Sequence, residues 1–489
     1  MEIHLNKKLN PIYKEVHDSP NNYFLTKKNH KTSEWMQRYI SVYHQLFKKF
    51  DSKKINYKKN EKKQNTTSEL ELLQKLFSEL HENYPDIKIP DIKIPGLKNN
   101  QKNLSDWFNE YNNEIFDTNS SFINSINEII NNKNQPSKLR TILSKINKQL
   151  AGCNKFMSLE IADDLSLGMN YTYKYNDSSL SFTVHSNKFI ELDNIYWRLL
   201  YARMQSIPRL YVQNKNPNKI QFEIFLSDVE KKLPRKNAVF GPREINSGCT
   251  DYETIVIWRK EEHLKLILHE SIHFYNLDGS YDLFSQNENI NLECHYQIGH
   301  NNATTIYEAY TEALTVFLNS FANSYQVYYL ENPNIINQEQ LSTKDFNNIN
   351  NIYNYLWNLE KRFTLIQIAK IILHVNPDCN DFRDFLIDPE KCSIQRSEMK
   401  HKLEQRTSVL SYHILKGTCM IFDHDFIDWI PNIYNPHPKS LYKFFDYVTG
   451  KTHDTTLIKL VNAVIKYLKS LKSYNKNLRM TFYESNILF

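Results

Sequence analysis

The sequence predicts an α+β protein in which helices predominate and strands are confined to one short stretch. Alternating apolar and polar residues, which are typical of strands, appear in YTYKY (171–175), LSFTVH (180–185), QFEIFLSD (221–228) and TIVIWR (254–259). Beyond residue 260 nearly every apolar pattern has helical spacing. The chain has 489 residues, more than one domain usually contains, and its hydrophobic content of 40% is sufficient for a substantial core.

The first predicted region, residues 1–150, is helical. Helical patterns occupy 33–50, 70–80 and 103–150, and a short proline-bounded repeat, PDIKIPDIKIPG (85–96), predicts an extended path. The lysine- and asparagine-rich segment 51–69 has almost nothing to bury, which favours a solvated loop or flexible linker. The alternative is an interaction segment that binds acidic partners through its lysines.

Residues 151–330 form the second predicted region, which contains the sheet. The first two strand patterns flank the turn-like NDSS and predict a hairpin, followed by a helix over Phe189–Gln205. Two further strands are separated by a glycine- and proline-containing loop, and helices are predicted over 261–277 and 304–322. The third region, 331–489, reads as a helical C-terminal domain with a long helix at about 345–375.

Composition excludes several classes of function. A net charge of +6 is small for a dedicated nucleic-acid binder, so no nucleic acid is expected as a partner. No apolar run is long enough for a membrane span, and the N-terminus lacks the apolar core of a signal peptide. Six scattered cysteines without a CxxC pair favour free thiols in a reducing compartment. We therefore expect a soluble cytoplasmic protein, or one packaged into a virus particle.

The stretch LILHESIHFYN (266–276) carries the strongest chemical signal. On a helix, His269 and His273 lie about 40° apart on the face opposite an apolar stripe, and Glu270 stands beside them. Zinc binds neutral imidazole nitrogens, and a neighbouring carboxylate can take a proton from water whose pKa the ion lowers. The spacing predicts His269 and His273 as metal ligands and Glu270 as general base. The alternative is a solvated helix face without a metal.

A third protein ligand is needed, because two histidines leave a zinc site incomplete. The segment TTIYEAYTEALTVFLNSF (304–321) predicts a helix with Thr304 or Thr305 as its N-cap and with Glu308 and Glu312 opposite its apolar stripe. Presented towards the first helix, Glu308 would complete the site. The alternatives are that both acids are solvated, or that the ligand comes from the intervening loop, where the candidates are Glu288, Glu293, His295 and His300.

HESIH followed 35 residues later by EAYTE resembles the gluzincin metallopeptidases, the thermolysin-like enzymes and their relatives. The resemblance covers about residues 254–315 and implies a zincin-like catalytic core of a small mixed sheet plus an active-site helix. It also implies Zn²⁺ bound by His269, His273 and Glu308, with Glu270 as catalytic base and Glu312 orienting a ligand histidine. TIVIWR stands where the family has the edge strand that pairs with substrate.

Two further features of the site remain open in the sequence. Gluzincins use a downstream Tyr or His to stabilise the oxyanion, for which Tyr412 and His413 are weak candidates in so tyrosine-rich a chain. Cys249, ahead of the fourth strand pattern, is expected to be a buried thiol, with an inhibitory zinc thiolate as the alternative.

The sequence thus predicts a zinc metallopeptidase that hydrolyses a peptide or protein substrate with metal-activated water. Two rivals stay open. One is a catalytically silent zincin-fold scaffold, for example in a virus particle, although the intact Glu270 argues against it. The other is a helical interaction protein that uses the lysine-rich run at 51–66.

Overall fold

The computed structural model describes residues 30–60, 169–211, 219–235, 239–250, 253–279, 292–299, 305–388, 390, 402–430 and 441–483. The helices predicted at 70–80 and 103–150 and the repeat at 85–96 lie outside these ranges. Within them the chain is mostly helical with one small mixed sheet, which confirms the predicted fold class.

The sheet has six strands among the described residues, in the order β1-β2-β3-β4-β6-β5. The strands are β1 (Asn56–Lys59), β2 (Tyr171–Asn176), β3 (Leu180–Ser186), β4 (Ile220–Phe225), β5 (Gly248–Thr250) and β6 (Thr254–Ile257). β3, β4 and β6 run parallel, and the remaining pairs are antiparallel. The predicted β2–β3 hairpin is confirmed, and its turn is held by Asp177, whose carboxylate accepts the backbone N–H of Ser179 and of Leu180.

The expectation of a solvated loop or flexible linker over 51–69 does not hold for its first part. Ser52–Lys54 form a 3₁₀ turn and Asn56–Lys59 form β1, which pairs with β2. The lysine side chains are exposed as expected, but the Tyr57 ring stacks on that of Tyr173 at 6.0 Å and gives the segment an aromatic contact with the core. All four residues of β1 are exposed, so the segment is held by its backbone pairing with β2 and by Ile55, which is buried in the core just before the strand.

The position of TIVIWR in the sheet also differs from the expectation. β6 lies between β4 and β5, so the strand at this end of the sheet is β5, formed by Gly248–Thr250 within the predicted loop. The three residues of β5 are too few to show the alternation of apolar and polar residues that predicts a strand. The strand forms because the segment pairs with β6.

Eight α-helices of six residues or more occupy the described ranges. They are α1 (His30–Lys49), α2 (Ile195–Tyr211), α3 (His263–Phe274), α4 (Ile306–Glu331), α5 (Thr343–Val375), α6 (Lys416–Ile421), α7 (Leu441–Thr452) and α8 (Thr455–Ser470). A π-helical turn, Leu410–Leu415, leads directly into α6. Single α-helical turns form at Pro242–Ile245 and Asp423–Phe426, and 3₁₀ turns at Leu292–Cys294, Pro333–Asn337, Phe382–Phe385 and Ile427–Trp429.

Side-chain hydrogen bonds mark the starts of α5 and α2 but not that of α4. α5 begins after a capping box in which the Ser342 hydroxyl accepts the Asp345 N–H and the Asp345 carboxylate accepts the Ser342 N–H. α2 begins six residues later than predicted, where the Asn194 side chain accepts the N–H of Tyr196. Thr305 stands at the predicted N-cap of α4, but its hydroxyl makes no capping bond and lies 3.2 Å from that of Ser408.

The helix that carries HESIH lies in the middle of the molecule. α3 contacts α2, α4, β5 and β6, so both its apolar stripe and its polar face are buried. One hydrophobic cluster extends from Met36 to Tyr483 and includes side chains from all three predicted regions. Most of the polar face of α3 therefore meets other protein groups, while His273 near its C-terminal end is partly exposed.

Two cysteines differ from the sequence-based expectation. Cys249 and Cys294 are disulfide-bonded, whereas Cys379 and Cys419 are free and buried. The prediction of free thiols throughout is therefore wrong for the first two, because pairing depends on distances in the fold that cysteine spacing alone does not reveal. Among the described helices, none is both long and apolar enough to cross a membrane.

Candidate metal centre

The two histidines of α3 point to the same place. Their Nε2 atoms lie 3.1 Å apart, and their rings meet edge-on at a centroid distance of 4.7 Å. The i, i+4 spacing on a regular helix accounts for this, because such residues lie one turn apart on one face. The sequence predicted this arrangement, and the structure has it.

α4 brings Glu308 to the same point. Its Oε2 atom lies 3.4 Å from Nε2 of His269 and 3.3 Å from Nε2 of His273. Among the described residues, this trio is the group whose ligand atoms are close enough to hold a metal ion. Glu293 and His295 are not part of it, and the His295 ring packs against Phe445 instead. The other two loop candidates, Glu288 and His300, lie outside the described residues.

The three donor atoms fit a tetrahedral ion. Ligand atoms at ~2.0–2.1 Å from zinc with tetrahedral angles lie about 3.3 Å apart, and the separations here are 3.1, 3.3 and 3.4 Å. The Oε2 atom of Glu308 is also buried without a hydrogen bond of acceptable geometry. A buried carboxylate oxygen without such a bond, facing two imidazole nitrogens, is the donor set that Zn²⁺ prefers.

The other ring nitrogens are held by carboxylates. Nδ1 of His269 lies 2.9 Å from Oε2 of Glu312, and Nδ1 of His273 lies 2.6 Å from Oδ2 of Asp278. The hydroxyl of Thr311 donates to the same Asp278 oxygen at 3.2 Å. A carboxylate at Nδ1 keeps the proton on that nitrogen and leaves the Nε2 lone pair for an ion. His273 is therefore oriented by a hydrogen bond, whereas Nδ1 of His269 faces the Glu312 carboxylate without an aligned hydrogen bond.

The surroundings of the two acids differ from what the sequence suggested. Glu312 was placed on a polar helix face, but its side chain is fully buried. Asp278 follows His273 by five residues and is not one of the three possible ligands. Its carboxylate instead contacts Nδ1 of the His273 ring. Its proximity to the second histidine was visible in the sequence, whereas the turn that brings it back, with Asn276 at φ 50° and Gly279 at φ 70°, was not.

Charge interactions within the cluster are strong. Burial lowers the pKa of each histidine, but Glu308 and Glu312 near His269, and Glu308 and Asp278 near His273, raise both pKa values above the ordinary value. Burial raises the pKa of the Glu308 carboxyl, but His273 and His269 more than offset this and lower it. The site therefore holds concentrated negative charge that favours a cation, whether protons or a metal ion.

Glu270 lies directly beneath β5. A Cβ atom added to Gly248 would be 2.8 Å from Oε1 of Glu270, so only glycine lets the strand pass this close to the carboxylate. Glu270 is buried, and burial raises its pKa. The general base predicted from HExxH thus lies against the end strand of the sheet, near enough to His269, His273 and Glu308 for their charges to act on it.

The structure separates the two oxyanion candidates. The Tyr412 ring lies 6.1 Å from that of His269, and burial together with Glu308 raises the pKa of its hydroxyl well above the usual value. His413 is fully buried, and burial and the nearby Lys416 lower its pKa well below the usual value. Both residues stand on the π-helical turn, a feature frequent at functional sites.

Tyr307 is an aromatic neighbour of the site that the sequence did not identify. Its ring meets that of His273 edge-on at 6.1 Å, and burial together with Glu308 raises the pKa of its hydroxyl to about 12. Cys249 follows Gly248 in β5 and is disulfide-bonded. Neither the expected buried thiol nor the alternative zinc thiolate is therefore correct for Cys249.

Comparisons with known proteins add little on function. No family model matches the chain, and no solved structure matches it significantly. The chain is 35% identical over 106 residues to an uncharacterized protein of Acanthamoeba polyphaga mimivirus. This match covers 21% of the chain and 24% of that protein, so it spans about a quarter of the relative's length.

Proposed function

We propose that this chain is a zinc-dependent peptidase of gluzincin type. The observation that supports the proposal most is the convergence of His269, His273 and Glu308 at the separations of a tetrahedral site. The intact Glu270 beside these ligands supports an enzyme over an inert metal site, because a structural site needs no buried carboxylate next to its ligands. The neighbouring acids Glu312 and Asp278 would hold the ligand rings in place.

The chain's own groups then have distinct tasks. Zinc held by the three ligands would supply Lewis acidity, activating water and polarising the substrate carbonyl. Glu270 accepts the proton of the attacking water at its carboxylate and passes it to the leaving amine. Because burial raises its pKa, the carboxyl group is better suited to returning that proton than a solvated glutamate would be.

Tyr412 is the better of the two oxyanion candidates. Its hydroxyl stays protonated at neutral pH, because burial and the negative charge of Glu308 and Glu270 raise its pKa. A protonated phenol beside the ligands can donate a hydrogen bond to an oxygen that gains charge as a carbonyl is attacked. His413 has no such access, since it is fully buried next to Lys416.

The substrate backbone would lie along β5. This strand ends the sheet on the side of the site, and Gly248 brings its backbone into contact with Glu270. An extended peptide that pairs with β5 would place one of its carbonyl groups near the base and the ligands. This assigns to Gly248–Thr250 the role that the sequence had given to TIVIWR.

Metal analysis of the purified protein and its variants tests the proposal. We expect one zinc per chain in the unchanged protein and less than about a tenth of that in His269→Ala. Glu270→Gln should keep its zinc and lose peptide hydrolysis by more than about 1000-fold, measured with a mixed peptide library. Zinc binding without hydrolysis by the unchanged protein would support a silent scaffold, and absence of zinc would refute the metal centre.

Location in a virus particle is a separate proposal. The similarity to a mimivirus protein supports it, and so do the disulfide-bonded Cys249 and Cys294, since disulfides persist outside the reducing cytosol. Mass spectrometry of purified particles under non-reducing conditions should recover the chain with both cysteines oxidised. Recovery only from the cytosolic fraction, with reduced thiols, would contradict this.

A further inference from the structure

One buried lysine next to the metal centre has no part in the proposed chemistry. Lys265 precedes His269 by four residues on α3, so it lies on the same face one turn earlier. Its Nζ atom is 2.5 Å from the carboxylate of Glu312, and the two side chains are 1% and 0% exposed. A lysine so fully buried is rare and costs free energy of desolvation, which calls for a reason.

We infer that Lys265 is a positioning residue that fixes the Glu312 carboxylate and, through it, the ring of His269. The inference rests on the proposed zinc site. Lys265 contacts Glu312, and Glu312 lies 2.9 Å from Nδ1 of His269, so the three groups form a continuous chain between two helices. Lys265 itself is not a ligand and does not reach the reacting atoms.

The geometry of Glu312 shows why a second partner is needed. Nζ of Lys265 donates a hydrogen bond to Oε2 at 2.5 Å and lies equally close to Oε1, while Oε2 also lies 2.9 Å from Nδ1 of His269. With His269 alone, the carboxylate could rotate about its last side-chain bond and change the direction from which it meets Nδ1. The lysine defines that rotation. It also balances a carboxylate that has no access to water.

Lys265 is held in turn by the end of the described chain. Residues 477–483 are all buried, and Met480 Sδ lies 3.6 Å from Nζ of Lys265. The carbonyl of Met480 accepts a hydrogen bond from Lys416 at 2.8 Å, and the N–H groups of Met480 and Thr481 donate to Glu262. The end of the described chain therefore packs around Lys265 and its neighbours.

A second ion pair on the same helix provides a matched control. Lys231 Nζ lies 2.7 Å from Oε2 of Glu262 at the start of α3, and both side chains are 0% exposed. Glu262 accepts backbone N–H groups from Met480 and Thr481 rather than an imidazole N–H. Loss of Lys231 should therefore destabilise the fold as loss of Lys265 does, without changing how a ligand is aimed.

The test compares Lys265→Met and Lys231→Met in the full chain. Zinc affinity is measured by competition with a chelator, the melting temperature of the metal-free protein reports folding, and the visible spectrum of the Co²⁺ form reports ligand geometry. We expect Lys265→Met to weaken zinc binding by about 10- to 100-fold and to shift the Co²⁺ bands. Lys231→Met should lower the melting temperature comparably and leave zinc affinity within about 3-fold.

The Glu312→Gln background separates positioning from general damage. If Lys265 acts through Glu312, adding Lys265→Met to Glu312→Gln should change zinc affinity by less than about 3-fold. Lys265→Arg, which keeps a cation beside Glu312, should recover part of the affinity lost in Lys265→Met. The double variant removes both charges, so it decides the question even if Lys265→Met alone does not fold.

Each failure has its own signature. Unchanged zinc affinity in Lys265→Met, equal losses in Lys231→Met, or an undiminished loss in the Glu312→Gln background would overturn the positioning role and leave the metal centre intact. Absence of zinc from the unchanged protein would refute the proposed function, and this inference with it. Zinc binding without peptide hydrolysis would overturn only the peptidase, since the expected effects here are on affinity and spectra.

Discussion

Two histidine–carboxylate clusters in this molecule differ in how well they could hold a metal ion. On the open face of the sheet, Nε2 of His185 lies 2.6 Å from Glu223, and its Nδ1 lies 3.1 Å from the hydroxyl of Thr172. These His185 and Glu223 side chains are 20% and 27% exposed. Between α3 and α4, the side chains of His269, Glu308 and Glu312 are 6%, 15% and 0% exposed.

The clusters differ in where the second ring nitrogen points. In the surface pair the two nitrogens of His185 face Glu223 and Thr172, and this pair is not part of a group of three possible ligands among the described residues. At the buried site, carboxylates hold the Nδ1 atoms of His269 and His273, and both Nε2 atoms converge on Glu308. A histidine next to a glutamate is therefore insufficient. Anchoring one nitrogen so that the other is directed inward makes the ligand.

We expect the largest difference between the two clusters when Glu308, the carboxylate on which both Nε2 atoms converge, is removed. Glu308→Gln should weaken zinc binding by more than about 100-fold, since a ligand is worth more than the groups that orient it. Glu223→Gln removes the carboxylate of the surface pair and should leave zinc affinity unchanged. Chelator competition on both variants measures this, and equal effects would mean that the ion, if bound, is not where we place it.

A second difference between the buried site and the surface pair is a backbone contact: Glu270 of the buried site lies against Gly248 of β5. Gly248→Ala adds a Cβ atom 2.8 Å from Oε1 of Glu270 and should lower kcat/KM by about 100-fold by displacing the base. Gly450→Ala, where an added Cβ meets nothing within 4 Å, is the control and should retain full activity. Zinc content should be unchanged in both. Full activity in Gly248→Ala would show that the contact with β5 does not position Glu270.

The orienting carboxylates predict a smaller effect. Asp278→Asn keeps the size of the side chain beside His273 but removes the charge that fixes its Nδ1 proton. Zinc affinity should fall by about 10-fold, at the lower end of the range for such groups, with little change in fold. Isothermal titration with zinc and circular dichroism test this together. A tightly bound zinc in Asp278→Asn would show that burial alone orients the ring.

The buried surroundings of α3 also predict acid sensitivity. Burial lowers the pKa of His263, in the first turn of this helix, from 6.5 to about 4. Between these two pH values the unfolded chain binds a proton at this histidine that the folded chain does not. The free energy of unfolding is therefore highest with respect to His263 above pH ~6.5 and falls as the pH drops towards 4. This histidine contributes about 1.4 kcal/mol per pH unit in that window.

Urea denaturation of the metal-free protein between pH 5 and pH 6.5 measures this dependence. His263→Gln should be less stable at neutral pH, because its backbone partner at Lys260 is lost, but its stability should change less with pH than that of the unchanged protein. Identical slopes in the two proteins would indicate that His263 is protonated or exposed in the folded state.

The sequence identified the parts of the site that depend on local periodicity. His269, Glu270 and His273 lie within one helix, and Glu308 and Glu312 lie within another, so their faces follow from 3.6-residue spacing. It did not reveal Asp278 as a partner of His273, β5 as the strand above Glu270, or the link from Lys265 to Met480. Each of these depends on a turn or a long-range contact, and no periodicity records such contacts.

The sequence by itself determined the helical fold class, the β2–β3 hairpin and the residue types able to bind a metal, because these follow from local spacing and side-chain chemistry. The tertiary structure decided that α3 and α4 lie close enough for donors 35 residues apart to meet. It also decided that Glu312 is buried against Lys265 rather than solvated, and that Cys249 is in a disulfide bond. The physical reason is that burial and separation in space arise from the packing of all layers at once, whereas helical and strand periodicity reports only on neighbours along the chain.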